Sequence, residues 1–321
     1  MSLPVSGSIS FNQINVELGR SGTASLNLND STVRSLFGQV SGVIDMNTGH
    51  GKSSVVTYNL TIAANTTDYN LHNALVTAGW DGTAVVNATV TINSGIIVGS
   101  TSTATYAFDT GVIPAGSTVN IVNNGYIVGR GGNGGNGGAN KPYATAPGSG
   151  APGQAGGPAM YLRYAVSITN GSGYIYSGGG GGGGGGVTNG ANVGYNSGGG
   201  GGGGGAGNVV GAPGANGIGN PYVANGGGLS IGGGGGVGGG VIGGAGGALN
   251  MNGVYPSFNG GGGGGGGANG GHGGRAYTNF SGAGFAVGAG GVGGGHGAAI
   301  TTNGNTVTYV SGNTRVYGGT V

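Results

Sequence analysis

The sequence predicts a mostly β and irregular chain with short N-terminal helices, a β platform of stacked hairpin repeats and a bundle of polyglycine II helices. Three observations predict it. β-branched and polar residues alternate from residue 55 onward, one strand–turn–strand pattern recurs four times, and 93 of the 321 residues are glycine. Glycine is about 7% of an average chain, so an ordinary globular core does not explain this composition.

Charge and cysteine content exclude several classes of protein. The chain has 8 Lys and Arg, 6 Asp and Glu and no Cys, with a net charge of +2. A nucleic-acid partner is not expected, because no basic surface can neutralise a row of phosphates. Disulfides and thiolate metal sites are excluded. No run approaches the roughly 18 apolar residues of a membrane helix, so membrane insertion is not expected.

Residues 1–49 read as a small terminal module with two short helices. Ser10 and Gln13 have the spacing of a capping box. The predicted apolar positions are Phe11, Ile14 and Leu18 in the first helix, with a stop at Gly19, and Val33, Leu36 and Phe37 in the second, with a stop at Gly38. Helices this short are marginal alone. They therefore need a packing partner, either the next domain or another protein.

Residues 50–128 read as a β-rich domain. Apolar and polar residues alternate from Val55 to Ile62, which predicts a strand. A helix is predicted from Tyr69 to Ala78, capped by Thr67 or Asp68. Trp80 follows the helix, and we expect it to anchor the core.

The repeat consists of a β-branched strand, a turn of Asn, Ser and Gly, and a second short strand. Its four copies lie at 88–100, 118–129, 165–178 and 306–319. Asn-Gly and Ser-Gly turns between such strands are typical of hairpins. Glycine-rich excursions at 130–164 and 178–305 should leave this platform and return to it.

Three pure glycine runs of 9, 8 and 8 residues start at Gly178, Gly198 and Gly260. Other tracts carry one non-glycine residue in three, as at Asn133 and Asn136. A polyproline II-type helix has three residues per turn and no internal hydrogen bonds, so its backbone groups must pair with neighbouring helices. Pure runs should therefore be central and tagged runs peripheral, with their tags facing outward. A flexible linker is the alternative interpretation.

No catalytic or metal-binding constellation stands out. All six carboxylate side chains lie in the first 109 residues, and the four histidines lack metal-ligand spacing. Glycoside cleavage normally needs two carboxylates. We therefore expect no metal, no cofactor and no enzymatic activity.

Two motifs carry a resemblance to a known family. The stretches NNGYIVGRGGNGG (123–135) and GYIYSGGGGGGGGG (173–186), followed by glycine tracts broken by aromatic loops, resemble the tail-fibre adhesins of T-even-type bacteriophages. The resemblance implies a polyglycine II sandwich at the fibre tip, in the virion, whose loops select an outer-membrane protein or lipopolysaccharide of the host. The N-terminal segment SISFNQINVELG is similar to short openings of other phage virion proteins.

The resemblance implies residue roles and a domain plan. Antibody-like loops rich in Tyr, Asn and Ser predict receptor contacts at Tyr143, Tyr195, Tyr222, Tyr255, Phe258, Tyr277 and Phe280. For the last two, sequence leaves open which end their loop faces. These aromatics could instead cap the bundle against water. The helices of the first module, through Phe11, Ile14, Leu18, Val33, Leu36 and Phe37, would dock to a tail-fibre or other tail protein.

The predicted segments are a virion-docking module (1–49), a β-rich attachment domain (50–128), the glycine bundle (129–305, interrupted by the repeat at 165–178) and a C-terminal repeat (306–321). Two other functions stay open at this point. One is a non-enzymatic glycine-rich structural protein of a virion or wall, and the other is an ice-binding bundle.

Overall fold

A computed structural model describes residues 2–139, 148–186, 188–189, 199–215, 217, 264, 267–268, 271–272 and 286–321. Contacts divide the chain into two compact units that interleave in sequence. Unit 1 contains Met1–Leu60, His72–Thr89 and Val112–Val119, and unit 2 contains Thr61–Leu71, Val90–Gly111 and Asn120–Val321. The four-segment domain plan stays a prediction.

Unit 1 begins with the two predicted helices, α1 (Phe11–Glu17) and α2 (Ser31–Phe37), followed by a 3-10 turn at Met46–Gly49. Both helix stops are confirmed, since Gly19 and Gly38 have φ of 69° and 66°. The helices pack on each other around a cluster of buried apolar side chains, namely Leu3, Ile14, Val33, Leu36 and Phe37. The module thus builds a core of its own.

The capping box of α1 is confirmed. The Gln13 amide donates to Ser10 Oγ at 3.2 Å, and the Ser10 amide donates to Gln13 Oε1 at 2.7 Å. We expect Ser10→Ala to lower the free energy of unfolding by about 1 kcal/mol, because an orphan helix N–H loses its acceptor. Urea unfolding of this variant beside Ser8→Ala measures the effect. Equal stability of the two variants would contradict it.

The helix predicted at Tyr69–Ala78 is shorter, α3 (Leu71–Thr77). The predicted cap is wrong: Asp68 has φ of 50°, and its carboxylate accepts from the Thr101 amide at 3.2 Å and from Thr105 Oγ1 at 2.8 Å. These bonds hold the carboxylate away from the first turn of α3. Desolvation raises the pKa of Asp68, but the hydrogen bonds from Thr101 and Thr105 outweigh it, so the pKa is lowered. Trp80 is 3% exposed, as expected of a core anchor, and its indole donates to the Ala84 carbonyl.

The β structure is built from five coils that each supply one strand to each of three sheets. The first sheet contains β1 (Val55–Ile62), β4 (Val85–Ile92), β7 (Thr118–Asn123), β10 (Val166–Thr169) and β15 (Val307–Ser311). The second contains β2 (Thr66–Thr67), β5 (Ile97–Gly99), β8 (Tyr126–Val128), β11 (Tyr174–Tyr176) and β16 (Val316–Tyr317). The third contains β3 (Tyr69–Asn70), β6 (Phe108–Asp109), β9 (Met160–Tyr161), β14 (Ala298–Thr301) and β17 (Gly319–Thr320).

The predicted β class is confirmed, but the stacked hairpins are wrong. The two strands of each repeat lie in different sheets, and equivalent strands of successive coils pair in parallel, as in β5·β8 and β8·β11. The corner between β7 and β8 explains this. Asn123 there is fully buried and bonds to Asn170 of the next coil, Nδ2 to Oδ1, at 2.8 Å. The chain therefore bends around a filled corner and does not reverse at an exposed turn.

Apolar residues from equivalent strands form the core. The fully buried side chains include Ile92, Ile121 and Ile168 from the first sheet, Val98, Ile127 and Ile175 from the second, and Phe108, Met160 and Ile300 from the third. The excursions leave inside a coil, between its second and third strands, at 129–159 and 177–297. Two short strands in the second excursion, β12 (Thr188–Asn189) and β13 (Ala286–Val287), pair antiparallel.

Candidate functional site

The glycine tracts form a hydrogen-bonded assembly within unit 2. We number the six best-described tracts along the chain as tract 1 (131–139), tract 2 (148–157), tract 3 (178–186), tract 4 (199–206), tract 5 (209–215 with Gly217) and tract 6 (288–297). Tracts 1 and 3 follow β8 and β11, and tracts 2 and 6 lead into β9 and β14. The end at the coils is the base, and the opposite end is the distal end.

Constant registers show that odd-numbered tracts run from base to distal end and even-numbered tracts return. Tracts 1 and 3 are parallel, through Gly132 N to Gly179 O and Gly135 N to Gly182 O. Tracts 4 and 6 are antiparallel to tract 3, through Gly182 N to Gly203 O and Gly294 N to Gly181 O respectively, among other bonds. The bonds recur every third residue at 2.6–3.1 Å.

Close approach of backbones requires glycine here. A Cβ atom at Gly181 would overlap the carbonyl of Asn133, and one at Gly202 would overlap the carbonyl of Gly182. Every glycine of 178–186 and 199–205 is buried, as expected for pure runs in the centre. Tract packing thus fixes the sequence of these runs by sterics alone.

One level of hydrogen bonds marks the distal end. Gly217 donates to Gly199 at 2.9 Å, Gly199 donates to Gly138 at 3.1 Å, and Gly138 donates to Gly185 at 2.9 Å. Four tracts therefore end together. The segments 140–147, 187–198 and 218 onward all start or end at this level.

Tract 6 takes its direction from its contacts with tract 3 and β12. It runs antiparallel to tract 3, and β13 just before it pairs with β12 just after tract 3, with Val287 opposite Thr188. The chain thus enters tract 6 at the distal end. The end that the loop of Tyr277 and Phe280 faces lies outside the described residues, which resume at β13 beside β12.

All seven predicted receptor contacts lie outside the described residues, so their roles stay predictions. They are Tyr143, Tyr195, Tyr222, Tyr255, Phe258, Tyr277 and Phe280.

The six predicted docking residues are described. Ile14, Val33, Leu36 and Phe37 are at most 6% exposed and Leu18 packs against them, whereas Phe11 is 52% exposed. Burial gives the first five a role in the core of the module.

Sequence reasoning missed the base of the assembly. The turn between tracts 4 and 5 places Asn208 against Gly99 of β5, where a Cβ atom would collide with the Asn208 side chain. Its amide donates to the Ser100 carbonyl at 3.4 Å, and its backbone N–H donates to Gly129 at 3.0 Å. A single Asn within a glycine-rich segment carries no signal of such a contact.

A tyrosine ladder lies beside the start of tract 3. Tyr126 stacks on Tyr174 with ring centroids 5.8 Å apart, and Tyr176 stacks on Tyr317 at 5.0 Å. Arg315 lies 5.0 Å from the centre of the Tyr174 ring. Burial, with smaller contributions from neighbouring tyrosines, raises the pKa of Tyr176 to about 12. Tyr176 is therefore uncharged at ordinary pH, and the ladder contributes packing.

The described residues hold no candidate metal site and no candidate membrane-spanning helix. No cluster of three or more His, Asp or Glu side chains there could hold a metal ion. Within the same part of the chain, no helix has the length and apolar character needed to cross a bilayer.

Comparison with known proteins decides the family. The model of the phage tail fibre adhesin Gp38 family matches residues 57–321. The chain belongs to this family. It is thus a virion protein, a receptor-binding adhesin of the phage tail fibre.

A solved structure of the gp37-gp38 adhesin tip complex of the bacteriophage S16 long tail fibre is 19% identical to this adhesin. The alignment covers 99% of this chain and 100% of that one, with a TM-score of 0.46. A comparison with curated proteins gives no match.

Proposed function

We propose that the adhesin binds its bacterial receptor through the segments attached to the distal end of the glycine-tract assembly, without enzymatic activity. One observation carries this proposal: the distal hydrogen-bond level from Gly217 through Gly199 and Gly138 to Gly185. Because these residues are bonded in series, the described residues that flank 140–147, 187–198 and 218 onward lie close together. β13 pairs with β12 near the same level.

We propose further that the tracts are polyglycine II helices. Backbone bonds that repeat every third residue match a helix of three residues per turn. Each such helix bonds to several neighbours, unlike a β-strand, which bonds to two. Tract 3 bonds to tracts 1, 2, 4 and 6. The resulting assembly would hold the distal segments on a rigid base, which reduces the entropy lost on receptor binding.

The contact residues we propose are the seven aromatic residues in these segments and in the chain between tracts 5 and 6. Tyrosine supplies rigid contact area, and the surrounding Asn, Ser and Gly supply adaptable hydrogen bonds. An outer-membrane protein or lipopolysaccharide is the proposed receptor. The chain after residue 109 has no carboxylate side chain and contains Lys141 and Arg275 near the aromatic segments, so an anionic receptor surface would be favoured.

The proposed partner in the virion is a tail-fibre or other tail protein. Residues 1–56 precede the region matched by the family model, and they contain the self-contained module of α1 and α2. Of the predicted docking residues, Phe11 has the exposure that a contact needs.

We expect Tyr195→Ala and Tyr143→Ala to reduce adsorption to host cells at least tenfold, because truncating an interface aromatic removes about 2 kcal/mol or more. Tyr317→Ala is the matched control, since Tyr317 is 43% exposed on the last coil. The measurement is binding of the purified adhesin to outer membranes, with and without prior removal of their proteins, and to purified lipopolysaccharide.

Two results would overturn the proposal. One is unchanged adsorption after replacement of both 140–147 and 187–198 by Gly-Ser segments of equal length, which would favour a structural role. The other is an equal loss of adsorption in Tyr317→Ala with unchanged thermal stability.

A further inference from the structure

The asparagine tags of tract 1 do more than face outward. Asn133 Oδ1 accepts a hydrogen bond from the Ala212 amide at 2.9 Å, and Asn136 Oδ1 accepts one from the Ala215 amide at 2.9 Å. Both pairs are 79 residues apart in sequence. The side chains thus repeat one contact at the period of the helix, and both contacts are made to tract 5.

Backbone bonds between the same tracts alternate with these side-chain bonds. Gly134 donates to the Ala212 carbonyl and Gly137 donates to the Ala215 carbonyl, both at 2.8 Å. Each of the two alanines therefore accepts a bond from a glycine of tract 1 and donates one to an asparagine of tract 1. This pairing is reciprocal, like that of residues across a β-ladder.

In the three residues 211–213 of tract 5, no backbone N–H group is left without an acceptor. Gly211 donates to Gly205 of tract 4, Ala212 donates to Asn133, and Pro213 has no N–H. The pattern starts again with Gly214, which donates to Gly202. The Ala212 and Ala215 N–H groups donate to no described backbone carbonyl, so the asparagine oxygens take the acceptor position that a carbonyl fills between other tracts.

A further side-chain acceptor lies beside tract 6. His272 Nδ1 lies 3.4 Å from the Gly293 amide of tract 6. His272 also belongs to a row of non-glycine residues spaced by three, with Asn269 and Arg275. A side-chain acceptor from a period-three row of the sequence thus meets the backbone of tract 6 as well.

We propose that Asn133 and Asn136 are positioning residues that fasten tract 5 to tract 1 and so hold the distal end of tract 5, from which the chain continues toward Tyr222. Each asparagine oxygen accepts from an alanine N–H of tract 5 that donates to no described backbone carbonyl. The two side-chain bonds therefore add to the backbone bonds that Gly131, Gly134 and Gly137 donate to tract 5. This inference rests on the proposed receptor contact at the distal segments.

The test is amide hydrogen exchange in the full-length adhesin. We expect the double variant Asn133→Ala, Asn136→Ala to exchange the Ala212 and Ala215 amides about tenfold faster, as loss of one hydrogen bond each implies. Adsorption to host cells should fall in parallel. The variant Asn133→Asp, Asn136→Asp keeps an acceptor oxygen at each site and should restore the slow exchange. Gln154→Ala, an exposed position on tract 2, is the control.

Unchanged exchange at Ala212 and Ala215 in the alanine variant would overturn the fastening of tract 5 by the two asparagines. Faster exchange with full adsorption would overturn the positioning role. Tyr222→Ala separates this failure from that of the proposed function: reduced adsorption in Tyr222→Ala beside full adsorption in the alanine double variant rejects only the positioning role. Full adsorption in both rejects the receptor contact at Tyr222 and the positioning role that depends on it.

Discussion

Gly181→Ala should lower the free energy of unfolding by about 3 kcal/mol or more, the largest effect expected of a single added methyl group in this adhesin. Gly181 donates to Gln154 of tract 2 and accepts from Gly294 of tract 6, each at 2.8 Å. The new Cβ would overlap the Asn133 carbonyl of tract 1. Overpacking costs about 1–3 kcal/mol, and parting the backbones weakens further hydrogen bonds at about 1 kcal/mol each.

Gly171→Ala is the matched control for this substitution. Gly171 is exposed, and its added Cβ would make an ordinary contact of 3.4 Å with Ser311 Oγ. Reduced entropy of the unfolded chain should make the control neutral or stabilising by up to about 1 kcal/mol. Differential scanning calorimetry of both variants gives the comparison. Melting temperatures for the two that agree within error would refute close packing of the tracts.

Asn123→Ala should cost about 3 kcal/mol, because it opens a buried polar network. Asn123 donates to Asn170 Oδ1 at 2.8 Å and to the Tyr174 carbonyl at 3.1 Å, and its own oxygen accepts from the Gly125 amide. The alanine leaves these partners buried without their bonds, and each unsatisfied group costs about 1–3 kcal/mol. Asn170 continues the network to the Gly312 carbonyl of the last coil.

Asn124→Ala serves as the neighbouring control. The Asn124 side chain makes an exposed bond with Ser172 Oγ at 3.1 Å, so its loss should cost less than about 1 kcal/mol. Guanidinium denaturation followed by circular dichroism measures both variants. A control as destabilised as Asn123→Ala would argue against the buried corner as the source of the effect.

The elements that could be predicted correctly from the sequence are those determined by neighbouring residues. The capping box at Ser10, the stops at Gly19 and Gly38, and the core position of Trp80 all follow from neighbouring residues. Alternation located β1, and the fourfold repeat located the strands of the first two sheets in the second to fifth coils, but the strands of the third sheet were not predicted. Each of these signals is contained within a few residues of the chain.

The partners of the strands could not be predicted in the same way. Alternation states which side chains face the core, but it does not state whether the next strand in sequence or the next coil is the neighbour. Asn123 and Gly125 have the composition of an exposed hairpin turn, and only the burial of Asn123 against Asn170 distinguishes the coil corner. Asp68 likewise has the composition of a helix cap, yet Thr101 and Thr105 hold its carboxylate.

For the glycine tracts too, some features could be predicted from the sequence and others could not. Their period of three and the buried position of the pure runs 178–186 and 199–205 follow from sterics, so sequence predicts both, while the run at 260–267 lies largely outside the described residues. Tract directions depend on turns that sequence does not specify, which is why the direction of tract 6 needed its register against tract 3. The double role of Asn133 and Asn136 needed the position of tract 5.

The coil excursions have a consequence for how such a protein changes over generations. The tracts are joined through main-chain atoms, which every amino acid shares, and tracts 1, 3, 4 and 5 share their last level of bonds at Gly138, Gly185, Gly199 and Gly217. Substitutions beyond that level leave the bonds between these four tracts intact. With the receptor contacts beyond it, as proposed, selection by new hosts would act there while the tracts stay constant.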